Sequence, residues 1–291
     1  MSPLDFSGVW IPLVTPLRAG RVDHGALDAL ARRLAADGVA GFVACATTGE
    51  APLLTEAERV DALGTLRAAT TLPLVMGASG NTAAEVLRRA DAAMAHAPAA
   101  FMVTPPPYLR PSQDALRAFF TTIADGLPAP LVLYDIPART GVRIELDTLL
   151  ALAAHPRIVA LKDCGGRVAQ TEALIADGRL QVLCGNDDEW FSSRCLGAAG
   201  AIAATAHVRT DLFVAFDRAL ARGDLATGRA LWRRLKPLAV GMFDEPSPAP
   251  VKALLAAQGE CANELRPPLA TASPPLTTRL QALVASLPPR A

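Results

Sequence analysis

Residues 130–162 read PLVLYDIPARTGVRIELDTLLALAAHPRIVALK. Two short apolar runs bracket the stretch, Pro130–Ile136 and Ile158–Lys162, and their starts lie 28 residues apart. Continuous rather than alternating hydrophobicity suits strands covered on both faces, as in a parallel sheet. Outward from this pair, similar runs recur at Val9–Pro16, Gly41–Thr47, Leu72–Ala78, Ala99–Thr104, Leu180–Cys184 and Ala201–Ala206. The segments between them carry helix grammar. Leu27, Leu30, Ala31 and Leu34 share one helical face, and Gly38 follows as a stop. Thr55-Glu-Ala-Glu58 and Thr82-Ala-Ala-Glu85 both read as capping boxes, and Ser112 as the cap of a helix presenting Leu116, Phe119, Phe120 and Ile123. Strand–helix units of this spacing predict a (β/α)8 TIM barrel, an architecture of about 250 residues. An open doubly wound sheet is the competing α/β arrangement, but no G-x-G-x-x-G follows the first run.

After the eighth run the pattern changes. Residues 211–222, 224–243, 251–258 and 276–287 read as helices, separated by the proline-rich Glu245–Pro250 and 266–275. The division expected is residues 1–210 for the barrel strands and catalytic face, and 211–291 for the last barrel helix and a C-terminal helical extension. Of 291 residues, 51% are hydrophobic, which excludes a disordered chain. Basic and acidic side chains balance at 28 each, so electrostatic capture of nucleic acid or a membrane surface is not expected. No apolar run reaches the ~18 residues of a spanning helix, and MSPLDFSGVW lacks the form of a signal peptide. A cytoplasmic protein is expected. The five cysteines form no CxxC pair and the four histidines are scattered, so neither a disulfide nor a metal framework is predicted.

Barrel enzymes place reactive groups at the C-terminal ends of strands. Thr47-Thr-Gly-Glu50, Pro105-Pro-Pro-Tyr108, Tyr134-Asp-Ile-Pro137, Arg139-Thr-Gly141 and Lys162 all fall on that rim. The chain has only three lysines and two tyrosines, and the rim holds both tyrosines and one lysine. An amine at the end of a buried strand loses stability as an ammonium ion and can attack a carbonyl to form a Schiff base. The structural alternatives for Lys162 are a pair with Asp163 or a path to solvent. Tyr134, Thr47 and Tyr108 can form the hydroxyl relay such chemistry needs, unless Tyr134 is a plain core aromatic and Thr47 a strand-end residue. The Thr48 hydroxyl and the N–H groups of Thr47 and Thr48 can hold a keto-acid carboxylate. Arg139 can grip a second carboxylate, its alternative being a surface ion pair. Asp187-Asp188-Glu189 reads better as a helix-start carboxylate cluster than as a metal site.

At these residues the chain resembles the dihydrodipicolinate synthase / N-acetylneuraminate lyase family of pyruvate-dependent class I aldolases. The likeness runs in order from about Val9 to Lys252, through Thr47–Glu50, Pro111-Ser-Gln113, Tyr134-x-x-Pro137, Arg139–Gly141, Leu161-Lys162, Gly185-Asn-Asp-Asp188 and Glu245-Pro-Ser-Pro-Ala-Pro-Val-Lys252. It implies a Schiff base on Lys162, a relay of Tyr134, Thr47 and Tyr108, and no metal or organic cofactor. It further implies Tyr108 lent across a dimer interface, and a homotetramer built as a dimer of dimers. Substrate contacts would fall on Thr48, Arg139, Gly185 and Ile202. Arg139 and the proline-rich segment are similar to the synthase branch, which condenses pyruvate with L-aspartate 4-semialdehyde in lysine biosynthesis. A pyruvate aldolase or hydratase-aldolase for another aldehyde or 2-keto sugar acid, and a non-catalytic keto-acid-binding barrel, are the alternatives.

The chain departs from the family pattern at Ala46, Asp135 and Asp163-Cys164-Gly165. Asp135 is expected to bring negative charge near the anion site, against a carboxylated acceptor. The family's lysine-regulation site is matched at Asn81 and Glu85 but not at Ala51, Pro52, Glu56, Arg59 and Pro107, which predicts weak or absent inhibition by lysine.

Overall fold

The computed structural model describes residues 4–290. The eight apolar runs form eight parallel strands: β1 Gly8–Pro12, β2 Gly41–Ala44, β3 Leu74–Gly77, β4 Ala100–Val103, β5 Leu131–Asp135, β6 Ile158–Asp163, β7 Gln181–Cys184 and β8 Gly200–Ile202. Each pairs with its neighbour in sequence, and β1 also pairs with β8, so the sheet closes into a TIM barrel. The strands are shorter than the apolar runs. Leu13, Val14, Ala203, Ala204 and Ala206 are buried, yet lie beyond the ends of β1 and β8. Thr205–His207 is a 3-10 turn rather than strand, and its His207 Nε2 accepts the Val14 N–H at 3.2 Å. Hydrophobicity reports burial, which continues through the packed rim loops after the ladder has ended.

Strand alternation divides the core in two. Val43, Val75, Met102, Val132, Tyr134, Ala160, Leu183 and Ile202 fill the barrel interior, while Leu131, Leu133 and Leu161 pack outward beneath the helices. Period two therefore places Tyr134 and Lys162 on the inner face, and Asp135 and Asp163 on the outer one. The strand register sets Tyr134 directly opposite Lys162, and Asp135 opposite Asp163.

The helices that cover the sheet in its first half are α1 His24–Ala36, α2 Glu56–Ala69, α3 Ala83–Ala93 and α4 Gln113–Gly126. The Thr55 capping box is closed in both directions. At α3 only half of the expected box forms. Thr82 accepts the Glu85 N–H, whereas the Glu85 carboxylate turns to the Asn81 N–H and to Arg89, whose charge outcompetes a cap amide. The remaining barrel helices are α5 Leu146–Leu152, α6 Val168–Asp177, α7 Trp190–Cys195 and α8 Thr210–Ala221. The tail adds α9 Leu225–Gly241, α10 Ala249–Ala257 and α11 Pro274–Ala285, with Asp224 capping α9. Among the described residues no helix is long and apolar enough to cross a membrane.

Candidate active site

A cavity of about 210 Å³ opens at the C-terminal ends of the strands. Thr47, Thr48, Tyr134, Arg139, Lys162, Gly185 and Ile202 all line it. Sequence positions spread over most of the barrel thus converge on one pocket. Tyr108 is the exception. It stands on the loop after β4 with φ +74°, is 92% exposed, and takes no part in the cavity.

Lys162 is 5% exposed, and its Nζ sits 4.4 Å from the centre of the Tyr134 ring. Burial holds its pKa below the ordinary lysine value, against the opposing pull of the Asp187 carboxylate. Neither structural alternative for this lysine holds. The side chain ends in the barrel pocket rather than at the outer surface, and the Asp163 carboxylate is engaged on the outer face, accepting from the Gly165 N–H at 2.8 Å and the Thr171 hydroxyl at 2.6 Å. Burial raises Tyr134 well above an ordinary tyrosine, and the Thr47 side chain within its reach works the other way. The hydroxyl therefore stays protonated and can pass a proton along a chain of hydroxyls.

The N–H groups of Thr47 and Thr48, among the described residues, are not taken up by other backbone carbonyls. They leave donors at the cavity wall. Arg139 forms no ion pair among the described residues, and its Nη2 reaches only the Ser247 carbonyl at 3.4 Å. It stands at the mouth, where the small cavity meets a larger one of about 520 Å³. An unpaired guanidinium there offers a bidentate fork to a carboxylate.

Gly185 is required by space. A Cβ at that position would stand 2.4 Å from the Cys164 Sγ and 3.0 Å from the Lys162 Cγ. Two further residues lining the pocket escaped a role in the sequence reading. Cys164 borders both Tyr134 and Lys162, and burial pushes its thiol up to about 12, so it contributes as a neutral group. Asp187 is buried against the cavity with its Oδ2 accepting the Thr205 N–H at 2.6 Å, and its charge opposes the loss of the Lys162 proton. Asp188, by contrast, is exposed. Among the described residues no three His, Cys, Asp or Glu side chains gather as metal ligands. Only the barrel's closure reveals that one carboxylate of the three faces the lysine.

The concern over Asp135 is corrected. Its side chain lies on the outer face, lines neither cavity, and its Oδ1 accepts the Ile144 N–H at 3.1 Å. Burial raises it to about 7, so near neutral pH it carries only part of a carboxylate's charge, and that on the face turned from the substrate.

Comparison with known proteins extends over nearly the whole chain. A family profile described as the dihydrodipicolinate synthetase family matches residues 5–287. A 4-hydroxy-tetrahydrodipicolinate synthase of Sorangium cellulosum is 39% identical over 279 residues, covering 94% of this chain and 93% of its own. The synthase of the same name from Hyphomonas neptunium is 39% identical over 270 residues, covering 91% and 92%. Among solved structures, the dihydrodipicolinate synthase of Thermotoga maritima superposes with a TM-score of 0.94 at 28% identity, covering 97% of this chain and 98% of that one. The enzyme of Acinetobacter baumannii, solved in complex with pyruvate, gives 0.93 at 29% identity and covers 96% and 98%.

Proposed function

As the chain belongs to the dihydrodipicolinate synthetase family, we propose that it condenses pyruvate with L-aspartate 4-semialdehyde to 4-hydroxy-tetrahydrodipicolinate, a step of lysine biosynthesis. It is a class I, Schiff-base carbon–carbon lyase. The observation that carries the reading is a largely buried Lys162 amine facing the Tyr134 ring in the barrel pocket, with Arg139, free of ion pairs among the described residues, at its mouth.

Lys162 attacks the keto carbon of pyruvate and releases water, leaving a Schiff base that acidifies the methyl group. Thr48 and the N–H groups of Thr47 and Thr48 hold the pyruvate carboxylate. Loss of a methyl proton gives an enamine, which attacks the aldehyde carbon to form the new C–C bond. Tyr134 and Thr47 move the proton that the developing alkoxide requires. Arg139 binds the carboxylate of the acceptor, and Gly185 and Ile202 shape the space beside the lysine. The acceptor's own amine then displaces Lys162, which closes the ring and frees the enzyme.

Tyr108 completes the relay from a second copy of the chain. An exposed tyrosine followed by Leu109, itself 58% exposed, on a left-handed loop is an apolar projection suited to a subunit interface. The assembly proposed is a homotetramer built as a dimer of dimers. Cytoplasmic localisation accords with five free cysteines.

Borohydride reduction in the presence of pyruvate, read by peptide mass spectrometry, tests the central claim. One reduced pyruvate on Lys162, absent in Lys162→Ala, is expected; no adduct on folded protein sinks it. Coupled assays with a panel of aldehydes then test the acceptor, with Arg139→Met expected to raise KM for L-aspartate 4-semialdehyde selectively. A better substrate lacking a carboxylate would overturn the acceptor assignment.

A further inference from the structure

Among the described residues that line the catalytic cavity, Lys162, Arg139 and Asp187 are those of charged type, and Asp187 is the sole carboxylate. It opens the 3-10 turn that follows β7 and is 2% exposed. Its Oδ2 accepts the Thr205 N–H at 2.6 Å, so the turn after β8 fixes the carboxylate from behind. That turn is pinned in its own right, because His207 donates from Nδ1 to the Ala204 carbonyl at 2.7 Å and accepts the Val14 N–H at Nε2. No arginine or lysine forms an ion pair with Asp187 among the described residues. Lys162 is near enough for each charge to favour the other, but its amine is spent on the keto acid during the reaction.

An acceptor entering this cavity meets a guanidinium, a carboxylate and the pyruvate carbon held on Lys162. The groups that answer these are a carboxylate, an ammonium and an aldehyde on one short chain. We propose that Asp187 binds the ammonium group of the acceptor and takes its proton for ring closure, and thereby selects an acceptor that carries an amine. The proposal rests on the Schiff-base reading above and supplies a residue for its last step. Charge supports it. Once the C–C bond has formed, the iminium, Arg139 and the ammonium balance the two substrate carboxylates and Asp187, whereas an amine-free acceptor leaves a net negative charge in a largely buried pocket, which is costly. Asp187 takes one proton from the ammonium, and the freed electron pair forms the new C–N bond at the iminium carbon. A second proton passes from the ring nitrogen to the Lys162 nitrogen. The Lys162 C–N bond then breaks with its electron pair on nitrogen, lysine leaves as the neutral amine, and the cyclic iminium loses its last proton to water. Burial raises Asp187 above the ordinary aspartate value, which makes it a stronger base than an exposed carboxylate.

Asp187→Asn tests the assignment, since the amide oxygen can still accept the Thr205 N–H while the charge and the base are lost. Borohydride with pyruvate alone should still place one reduced pyruvate on Lys162, with KM for pyruvate within about twofold of wild type. With L-aspartate 4-semialdehyde, kcat should fall about 10²-fold and KM rise at least about tenfold. Borohydride added during turnover should trap a heavier adduct on Lys162 in this variant, pyruvate joined to the semialdehyde and not cyclised, which wild type does not accumulate. Succinate semialdehyde, the same chain without the amine, gives a measurement on wild type itself. Its inhibition constant should exceed KM for the amino acceptor at least about tenfold, and Asp187→Asn should narrow that gap to about twofold. Unchanged kcat and KM in the folded variant, absence of the heavier adduct, or equally tight binding of succinate semialdehyde to wild type would each overturn the proposal. Loss of the pyruvate adduct in Asp187→Asn alone would overturn it too, by making the carboxylate a support for Lys162. No pyruvate adduct on wild type overturns the Schiff-base reading itself and the proposal with it.

Discussion

At the scale of the residue, the burial of Asp135 has a measurable consequence. The group faces Asp163, Arg143 and Glu145, and burial raises its pKa from 3.8 to about 7, while its Oδ2 lacks a partner. The folded state thus holds a proton that the unfolded chain has already lost. Its contribution to stability is full below pH 3.8 and is lost as pH climbs through about 7. Asp135→Asn should flatten that decline and stabilise the protein at pH 8 by roughly 4 kcal/mol at most; melting curves across pH 4–9 check it, and an unchanged slope counts against it. Gly185 makes a second residue-scale case. Gly185→Ala drives a methyl against the Lys162 stem and should reduce kcat/KM about 10²-fold while circular dichroism stays native. Adding Cys164→Ala removes the 2.4 Å contact and should recover part of the loss.

At the scale of the element, the C-terminal helices are bound to the catalytic rim by charge. Lys252, on α10, is fully buried and donates to Glu50, in the loop after β2, and to the Glu264 carbonyl at 2.8 Å. Glu50 also accepts the Arg266 N–H at 3.0 Å and sits in a left-handed conformation at φ +57°. Two motifs 202 residues apart in sequence are therefore one buried ion pair. Removing one partner leaves an uncompensated charge, and Lys252→Met should destabilise by ~3–5 kcal/mol. The double variant Glu50→Gln, Lys252→Met should lose less than the single one in urea unfolding. A double variant as unstable as the sum of both singles would show that the pair itself contributes nothing. Because Glu50 lies two residues beyond Thr48, the single variant should also raise KM for pyruvate.

At the scale of the whole molecule, one chain holds every proposed site residue in its cavity except Tyr108. If a second copy supplies that hydroxyl, two defective variants can repair each other. Lys162→Ala and Tyr108→Phe, denatured and refolded together in equal amounts, should regain about a quarter of wild-type activity, since half the pairs are mixed and each restores one site of two. No recovery beyond the separate variants would place Tyr108 in its own subunit's chemistry. Light scattering reports whether the assembly is the expected tetramer.

Much of this was legible in the linear sequence because the signals are local. A strand buried on both faces needs a continuous apolar run, a helix needs its cap within four residues, and period two decides which side of β5 and β6 a residue faces. Those rules locate eight strands and put Lys162 and Tyr134 on the rim. They overextended β1 and β8, because apolar rim loops look like strand. What remained for the tertiary structure were the contacts that exist only once β8 meets β1. Closure turns Asp187 towards Lys162 and brings Glu50 onto Lys252. Such pairings depend on distances across the barrel, and no spacing along the chain encodes them.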